Sequence, residues 1–462
     1  MPYPLYQHQE AGVCWLVERA RAALLDEQGL GKTATVIVAA QRLDLQRVLV
    51  LVPAVVAWNW RRELATWWPR AVVQVVTRGA DSVSPDARVV VTTHGLLLSP
   101  RLRAQLLAES WDLIVVDEAH AFRTPTAKRT LALYGAPGVD RVPSLVARAE
   151  RTWLLTGTPM PNNAAELWTM LAGLAPERVT VDGRLLSWEA FRRRFCELVP
   201  SAYGDGWKVR GNRNVPELRD RIAGFTLRRT KRQCLDLPPV RHDVVAVAPD
   251  RMPHEIAALE AELPGDVLER LAGCDDAAEA LTELREHACV TRYRRLCGLA
   301  KLEPAVRLLA DELEVGALRK VVVFAHHRDV TAGLCEGLHR FGVRSIRGDT
   351  TPLARQQAVE AFQRDPAVRV IVCQIDAGGV GITLTAAADA VFVELSWTPG
   401  ANAQAADRIH RIGQEAESVR VRFLALAGSV DELIVEALTR KTRAIREVLA
   451  PAAMTAIDRE TQ

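Results

Sequence analysis

Lysine is scarce in this sequence. Seven of the 59 basic residues are Lys and the rest are Arg. Basic and acidic residues nearly cancel, 59 against 56, which leaves a net charge of +3. No global positive field is available to attract nucleic acid, so such a partner must meet a local basic lining. The eight Cys fall singly, at 14, 196, 234, 274, 289, 297, 335 and 373, with no C-x-x-C pair. That spacing argues against zinc modules and predicts free, buried thiols in a reducing compartment. No apolar run approaches the ~18 residues of a membrane-spanning helix, and no basic-then-apolar signal segment opens the chain. We expect a cytoplasmic protein with no membrane contact. The Arg-, Ala- and Val-rich composition hints at a GC-rich genome, and we expect a bacterial or phage-encoded protein. With 462 residues, 49% hydrophobic and 25% charged, the chain has room for two or three domains, each with its own core.

What is present centres on Asp26-Glu27-Gln28-Gly29-Leu30-Gly31-Lys32-Thr33. Glycines let backbone N–H groups curl around an anion, and the apolar helix that follows points its positive end at it. Lys32 is placed to reach the β- and γ-phosphates of ATP, and the Thr33 hydroxyl to ligate Mg²⁺. Asp26 stands where the general phosphate-loop pattern has Gly, so a bland Gly-rich turn is the competing reading of this stretch alone. Asp117-Glu118-Ala119-His120 follows the apolar run Leu113 to Val116. In a nucleotide motor Asp117 holds Mg²⁺, partly through water, and Glu118 is the general base. A charged strand end is the alternative, and the phosphate loop upstream favours the catalytic reading.

The remaining candidates come in chain order. Gln9 lies on a short amphipathic segment, where its amide either reads adenine or merely decorates a helix. Trp58, Trp60, Trp67 and Trp68 gather beside Arg61 and Arg62, and form either core aromatics or a stacking and phosphate surface. Val48–Val52 reads as a strand buried on both faces, Trp153–Thr156 as another buried strand, and Val72–Val76 and Val89–Val91 as further strands. Thr93 ends one of them, on the edge where ligands of an open α/β sheet bind. Thr156-Gly157-Thr158 offers small hydroxyl groups that could couple nucleotide state to a neighbouring lobe, or a plain Gly-Pro turn. From 161 to about 225 the pattern is helical and irregular, with an Arg run at 192–194. Leu237-Pro238-Pro239 suggests a linker, and 251–300 is helical by pattern.

A second α/β alternation starts near Lys320, with strand-like runs at Val321–Phe324, Val343–Ile346, Arg369–Cys373 and Ala390–Val393. Gly348 and the Gly378-Gly379 pair suit close approach to phosphate. In Gln404 to Gln414, Arg408 and Arg411 are three apart, on one face of an expected helix. Two aligned guanidiniums suit the charge of a transferring γ-phosphoryl group.

Taken together these segments resemble the Swi/Snf-type helicase-like ATPases of helicase superfamily two. The matching residues run in family order. They are Gln9 with Gly12 and Trp15; Asp26 to Thr33; Pro53 with Asn59-Trp60 and Glu63; Asp117 to His120; and Leu155 to Pro159 with Asn162. Glu166-Leu167-Trp168 and Leu227-Arg228-Arg229 follow. The second half adds Val323-Phe324, Gly348-Asp349-Thr350 with Arg355, Gly378 to Gly381, Trp397-Thr398-Pro399 and Gln404 to Gln414. Asp407 to Arg411 is similar to the annealing-helicase branch. Gln28, His94 and Thr383 depart from the family's usual Met, Tyr and Asn.

The resemblance implies an α/β fold of two tandem RecA-like lobes, parallel sheets flanked by helices, with short helical protrusions. The expected boundaries are 1–235 for the first lobe, with a helical insertion at about 161–225. Residues 236–300 are then linker and protrusion, and 301–462 the second lobe with a C-terminal helix. It further implies ATP and Mg²⁺ in the cleft between the lobes and movement along double-stranded DNA with little or no strand separation. Lys32, Asp117, Glu118, Arg408 and Arg411 are the expected catalytic residues. The ATP-binding set is Gln9, Asp26, Gly29, Leu30, Gly31, Lys32, Thr33 and Gln404, with Thr33 and Asp117 as Mg²⁺ ligands. His120, Thr156, Gly157 and Thr158 are expected to couple the two lobes. Thr93, Trp60, Gly348, Arg355, Gly378, Gly379 and Trp397 are the expected DNA contacts, without sequence specificity. The chain is expected to act as a monomer. A strand-separating DNA or RNA helicase and a nucleic-acid scaffold without hydrolysis are the alternatives, and the intact catalytic groups argue against the scaffold.

Overall fold

A computed structural model describes residues 4–136, 143–157, 159–160, 163–200, 207–273, 277–378 and 382–448. The chain divides between Cys234 and Leu235 into two compact units. Each is built on one parallel sheet.

In the first unit the strand order is Thr226–Leu227, Arg21–Leu24, Ala149–Leu155, Trp111–Asp117, Val48–Val52, Val89–Thr93 and Val73–Val76. Every neighbouring pair is parallel. The strand sequences explain why: Val48–Val52 reads Val-Leu-Val-Leu-Val and is buried throughout. β-Branched residues without alternation belong in strands covered by helices on both faces. The parallel register brings the C-terminal ends of the strands to one edge, where Thr93 pairs with Val52 and Val116 with Leu51.

The stretch expected as a helical insertion is mixed. It holds the helices Trp168–Leu174, Trp188–Phe195 and Val215–Ile222, and two small antiparallel pairs, Thr180–Val181 with Arg184–Leu185 and Cys196–Pro200 with Trp207–Asn212. Phe191, Phe195, Cys196 and Leu218 join the same apolar cluster as Leu154 and Trp168. The insertion therefore shares the core of the first unit.

The second sheet has the order Val240–Val247, Val419–Leu426, Asp389–Phe392, Val321–Ala325, Val370–Gln374 and Val343–Ile346, again all parallel. The expectation of a linker and protrusion over 236–300 needs correction. Val240–Val247 is an edge strand of this sheet, and the helices His254–Ala261, Gly265–Ala272, Ala277–Glu286 and Val290–Ala300 follow it. Their Ile256, Val267, Leu271, Leu284 and Tyr293 pack in one cluster with Phe324, Phe392 and Ile434. Apolar stripes at helical spacing need a partner surface, and the second sheet supplies it. Val419–Leu426 carries Arg420 and Arg422 inside a buried strand. Arg420 pairs with Asp389 at 2.7 Å, and Arg422 makes two 2.6 Å bonds to Glu312. Among the described residues no helix is long and apolar enough to cross a membrane.

Candidate functional site

The loop ahead of the Lys32–Arg42 helix is shaped by Gly29 and Gly31, with φ of 88° and 76°. Glycine alone enters this region cheaply. The curl leaves backbone N–H groups at a helix N-terminus, a ready anion site. A side chain at position 31 would also collide, since its Cβ would stand 2.0 Å from Nε2 of Gln9. Gln9 is fixed there. Its Oε1 accepts from the Tyr6 N–H at 3.0 Å, and its Nε2 donates to the Leu30 carbonyl at 3.3 Å. Thr33 follows on the first turn of the helix.

Lys32 Nζ donates to the carbonyls of Asp26 and Glu27, at 2.7 and 3.2 Å. Burial holds its ammonium below the ordinary lysine value, against the pull of Glu118, Asp26 and Asp117. Two loop carbonyls therefore fix the position of the cation. The side chain of Asp26 has a different task from the one expected. Arg229, 203 residues later, grips both its oxygens: Nε to Oδ1 at 3.0 Å and Nη2 to Oδ2 at 2.5 Å. The Arg229 N–H adds a third bond to Oδ1 at 3.0 Å. Nη1 of the same guanidinium donates to the His8 carbonyl. Asp26 thus ties the loop to the edge strand and to the Gln7–Val17 helix, and its expected contact with ATP is replaced by this pairing. The pair is buried, and removing one partner strands the other charge. Arg229→Ala is expected to cost about 3–5 kcal/mol in stability. Asp26→Ala combined with it should cost clearly less than the sum, as read by denaturant unfolding. Additive losses would refute the pairing.

Asp117 ends its strand with both carboxylate oxygens engaged. The Glu118 N–H donates to Oδ1 at 2.9 Å, and the Trp60 indole N–H donates to Oδ2 at 2.8 Å. Burial raises the Asp117 carboxyl well above the usual carboxylate range and the Glu118 charge adds to it, while the Trp60 bond and Lys32 act the other way. This corrects the expectation for Trp60. Its ring is 1% exposed and cannot meet DNA. The apolar Ala57, Trp60 and Leu64 form the buried face of their helix, and the bulk of the indole belongs to that face.

Glu118 sits at φ 49°, in the left-handed region that a non-glycine residue enters at a cost. The turn sets its carboxylate 3.2 Å from Nδ1 of His120, and the same nitrogen lies 3.1 Å from the Thr156 hydroxyl. Next along the chain, a Cβ on Gly157 would come within 2.5 Å of the Gln28 side chain and 3.2 Å of its backbone N. Glycine is needed for this approach. His120, Thr156 and Gly157 thereby connect the candidate base to the phosphate loop. Thr158 lies outside the described residues.

In the second unit, Arg408 and Arg411 both turn a guanidinium to the Ile382 carbonyl, at 3.5 and 3.1 Å. They do so without the helix expected for them. The Pro399–Ala406 helix ends before Arg408, and turns follow to Gly413, which has φ 92°. The helix closes through an Arg408 N–H bond to the Ala405 carbonyl, and the Arg408 carbonyl then accepts from the Leu384 N–H at 3.0 Å. Gln404 lies on the last turn of that helix, half-buried.

Residues 8–263 match the family model of the SNF2-related domain, which is more than half of the chain, and residues 301–413 match the helicase conserved C-terminal domain. The chain belongs to the SNF2-related family. The family binds and hydrolyses ATP. Among its relatives, the mouse "DNA annealing helicase and endonuclease ZRANB3" is 30% identical over 95% of the chain and 40% of its own length. The Xenopus tropicalis "SWI/SNF-related matrix-associated actin-dependent regulator of chromatin subfamily A-like protein 1" is 30% identical over 96% of the chain and 44% of its own length. The chain thus spans about two-fifths of the length of these curated relatives. A solved "SWI2/SNF2 ATPase core in complex with dsDNA" from Sulfolobus solfataricus aligns with a TM-score of 0.45 and 23% identity, over 97% of this chain and 93% of that one. The expectation of a cytoplasmic, bacterial or phage-encoded protein is overturned here. Its curated relatives include animal proteins, several of them named as regulators of chromatin.

The expected DNA contacts of this SNF2-related chain fare unevenly. Thr93 is half-buried at the C-terminal edge of its strand, in line with a ligand-side position. Next to it, burial pushes His94 down to about 4, so it is a neutral ring, packed edge-on against Phe122 at 4.8 Å. The N–H of Gly348 is already engaged by Gln374 Oε1 at 2.9 Å. Arg355 is buried, and its Nη1 donates to the Ala377 carbonyl at 3.0 Å. Its cation anchors the Ile375–Gly378 turn and is not offered to phosphate, which corrects the expectation of a direct contact. Gly378 ends that turn, and Gly379 lies outside the described residues. Trp397 is half-buried against the second core, with the Arg294 guanidinium 4.6 Å from its ring centre. Arg294 and the second core are thus its neighbours within the unit.

Arg229 had no role in the sequence reading, and Trp60 had a different one. Arg229 was visible only as part of Leu227-Arg228-Arg229. The signal was an acid in place of glycine at the start of a phosphate loop, because a buried carboxylate requires a partner. The indole donor on Asp117 had no such signal.

Proposed function

We propose that this chain is a DNA-stimulated ATPase that moves along double-stranded DNA without separating the strands. The observation that carries the reading is the phosphate-loop cation Lys32, whose charge acts with those of Glu118 and Asp117, together with the contacts that run from Glu118 through His120 to Thr156, beside Gly157. It joins a phosphate cation, a metal-type carboxylate and a candidate base to a strand end that touches the phosphate loop.

The oxygen donors Asp117 and Thr33 fit Mg²⁺. No cluster of three His, Cys, Asp or Glu able to cage a metal occurs among the described residues. Mg²⁺ needs no such cage, since it keeps water and takes oxygens from the nucleotide itself. When bound it would neutralise charge on the β- and γ-phosphates. Glu118, in the DEAH motif, would take the proton of the attacking water. Arg408 and Arg411, held on one carbonyl, would meet the charge of the γ-phosphate.

For DNA, the groups that remain suited to contact are small and hydroxylic, such as Thr93. These can grip a backbone but not read bases. Binding should be independent of sequence and should weaken steeply with salt, through counterion release. The relatives named as annealing helicases, and the Asp407–Arg411 block, favour a motor that does not open duplexes. We further propose that the chain works as a monomer. The test runs two substrates side by side at one salt concentration. ATP-driven displacement of a third strand from a triplex is expected, with negligible unwinding of a tailed duplex. Robust unwinding without triplex displacement would reject translocation in favour of a strand-separating helicase.

A further inference from the structure

We propose that Trp60 is a positioning residue for Asp117, and that its indole N–H sets how tightly and how selectively the nucleotide's Mg²⁺ is held. The inference rests on the ATPase reading above and concerns the same site.

A carboxylate at the end of a strand can rotate, because the torsion about its last bond is broad. At Asp117 that freedom is removed from both sides. One donor comes from the next residue in the chain, and the other, Trp60, comes from 57 residues away. An ionised carboxylate has about four lone-pair positions and an indole N–H can only donate. The two donors therefore take one position on each oxygen. What remains is a carboxylate of fixed plane, with one lone-pair position left on each oxygen.

That geometry suits Mg²⁺, which demands near-octahedral coordination at about 2.0–2.1 Å and takes carboxylates one oxygen at a time. It suits Ca²⁺ less well, since that larger ion accepts flexible and bidentate carboxylates. Groups that orient a metal ligand from behind typically cost 10–100-fold in metal affinity when removed. A simple space-filling role would be served by any large apolar side chain. It would not require a hydrogen bond of 2.8 Å to the Asp117 carboxylate.

The experiment compares wild type with two replacements at position 60. Trp60→Phe keeps an aromatic ring but leaves a gap. Site-specific benzothienylalanine keeps the bicyclic shape and lacks the N–H. A fluorescent ATP analogue reports binding in EDTA and then along titrations with Mg²⁺ and with Ca²⁺. Both replacements are expected to bind the metal-free nucleotide as wild type does. Both should need at least about tenfold more Mg²⁺, with a smaller change for Ca²⁺, so that the preference for Mg²⁺ falls. An unchanged Mg²⁺ requirement in the benzothienyl protein would overturn the proposal. So would equal losses for metal-free nucleotide, Mg²⁺ and Ca²⁺, because the ring would then only hold the fold. If nucleotide binding by the wild type itself ignored Mg²⁺, the ATPase reading would fail first and the inference with it.

Discussion

Lys32→Ala and Glu118→Gln are each expected to abolish ATP turnover while the fold survives. Lys32 is held in place, with its ammonium on two loop carbonyls and its charge among Asp117, Glu118 and Asp26. A cation prepared in this way costs nothing to reorganise during reaction. Glu118→Gln keeps the shape of the side chain and its approach to His120 but removes the base. Loss of a preorganised charge or of a general base typically lowers the rate by ~10²–10⁴-fold. Steady-state ATPase assays, with thermal unfolding as the control for folding, make the comparison. Turnover within a factor of two of wild type in either variant would remove that residue from the mechanism.

Arg411→Ala should separate nucleotide binding from its hydrolysis. Arg408 and Arg411 share the Ile382 carbonyl, so the loop presents two guanidiniums together. An arginine that meets the charge of a transferring phosphoryl group is worth ~10³–10⁵-fold in rate. The variant is expected to bind a fluorescent ATP analogue normally and to lose DNA-stimulated hydrolysis. Weakened nucleotide binding with an unchanged stimulation ratio would contradict the assignment. Arg408 is the more deeply buried of the two, so Arg411 gives the cleaner test.

How much of this was legible beforehand follows the physics of each element. Strands such as Val48–Val52 and Val321–Ala325 were legible because a short unbroken apolar run rich in Val suits a strand buried on both faces. Val240–Val247 was not. Its polar residues and the preceding Pro238-Pro239 give it the signature of a linker, since as an edge strand it is half-exposed. The helices from 254 to 300 showed their period, but a period does not say which surface covers the stripe. At the site, backbone demands were the most readable, because glycine is nearly forced at 29, 31 and 157. Side-chain partners across the sheet were the least readable. Trp60 and Arg355 had the composition of a DNA surface, yet one donates to Asp117 and the other to a turn carbonyl. Tryptophan and arginine serve interfaces and buried hydrogen bonds equally well, and only the fold decides between them.

The pairing of the Arg21–Leu24 strand with Thr226–Leu227, closed by Arg229 on Asp26, has a consequence for biosynthesis. Chains emerge from the ribosome N-terminus first, at about 5–20 residues per second. The glycines, Lys32 and the helix behind them are made early. The residue that locks the start of their loop arrives 203 positions later, about 10–40 s at those rates. A nascent chain stalled before residue 225 would carry the whole phosphate-loop sequence around a buried acid without its base. Competence to hold nucleotide should therefore appear late and abruptly during translation, once the edge strand is added and just before the second unit begins to be made.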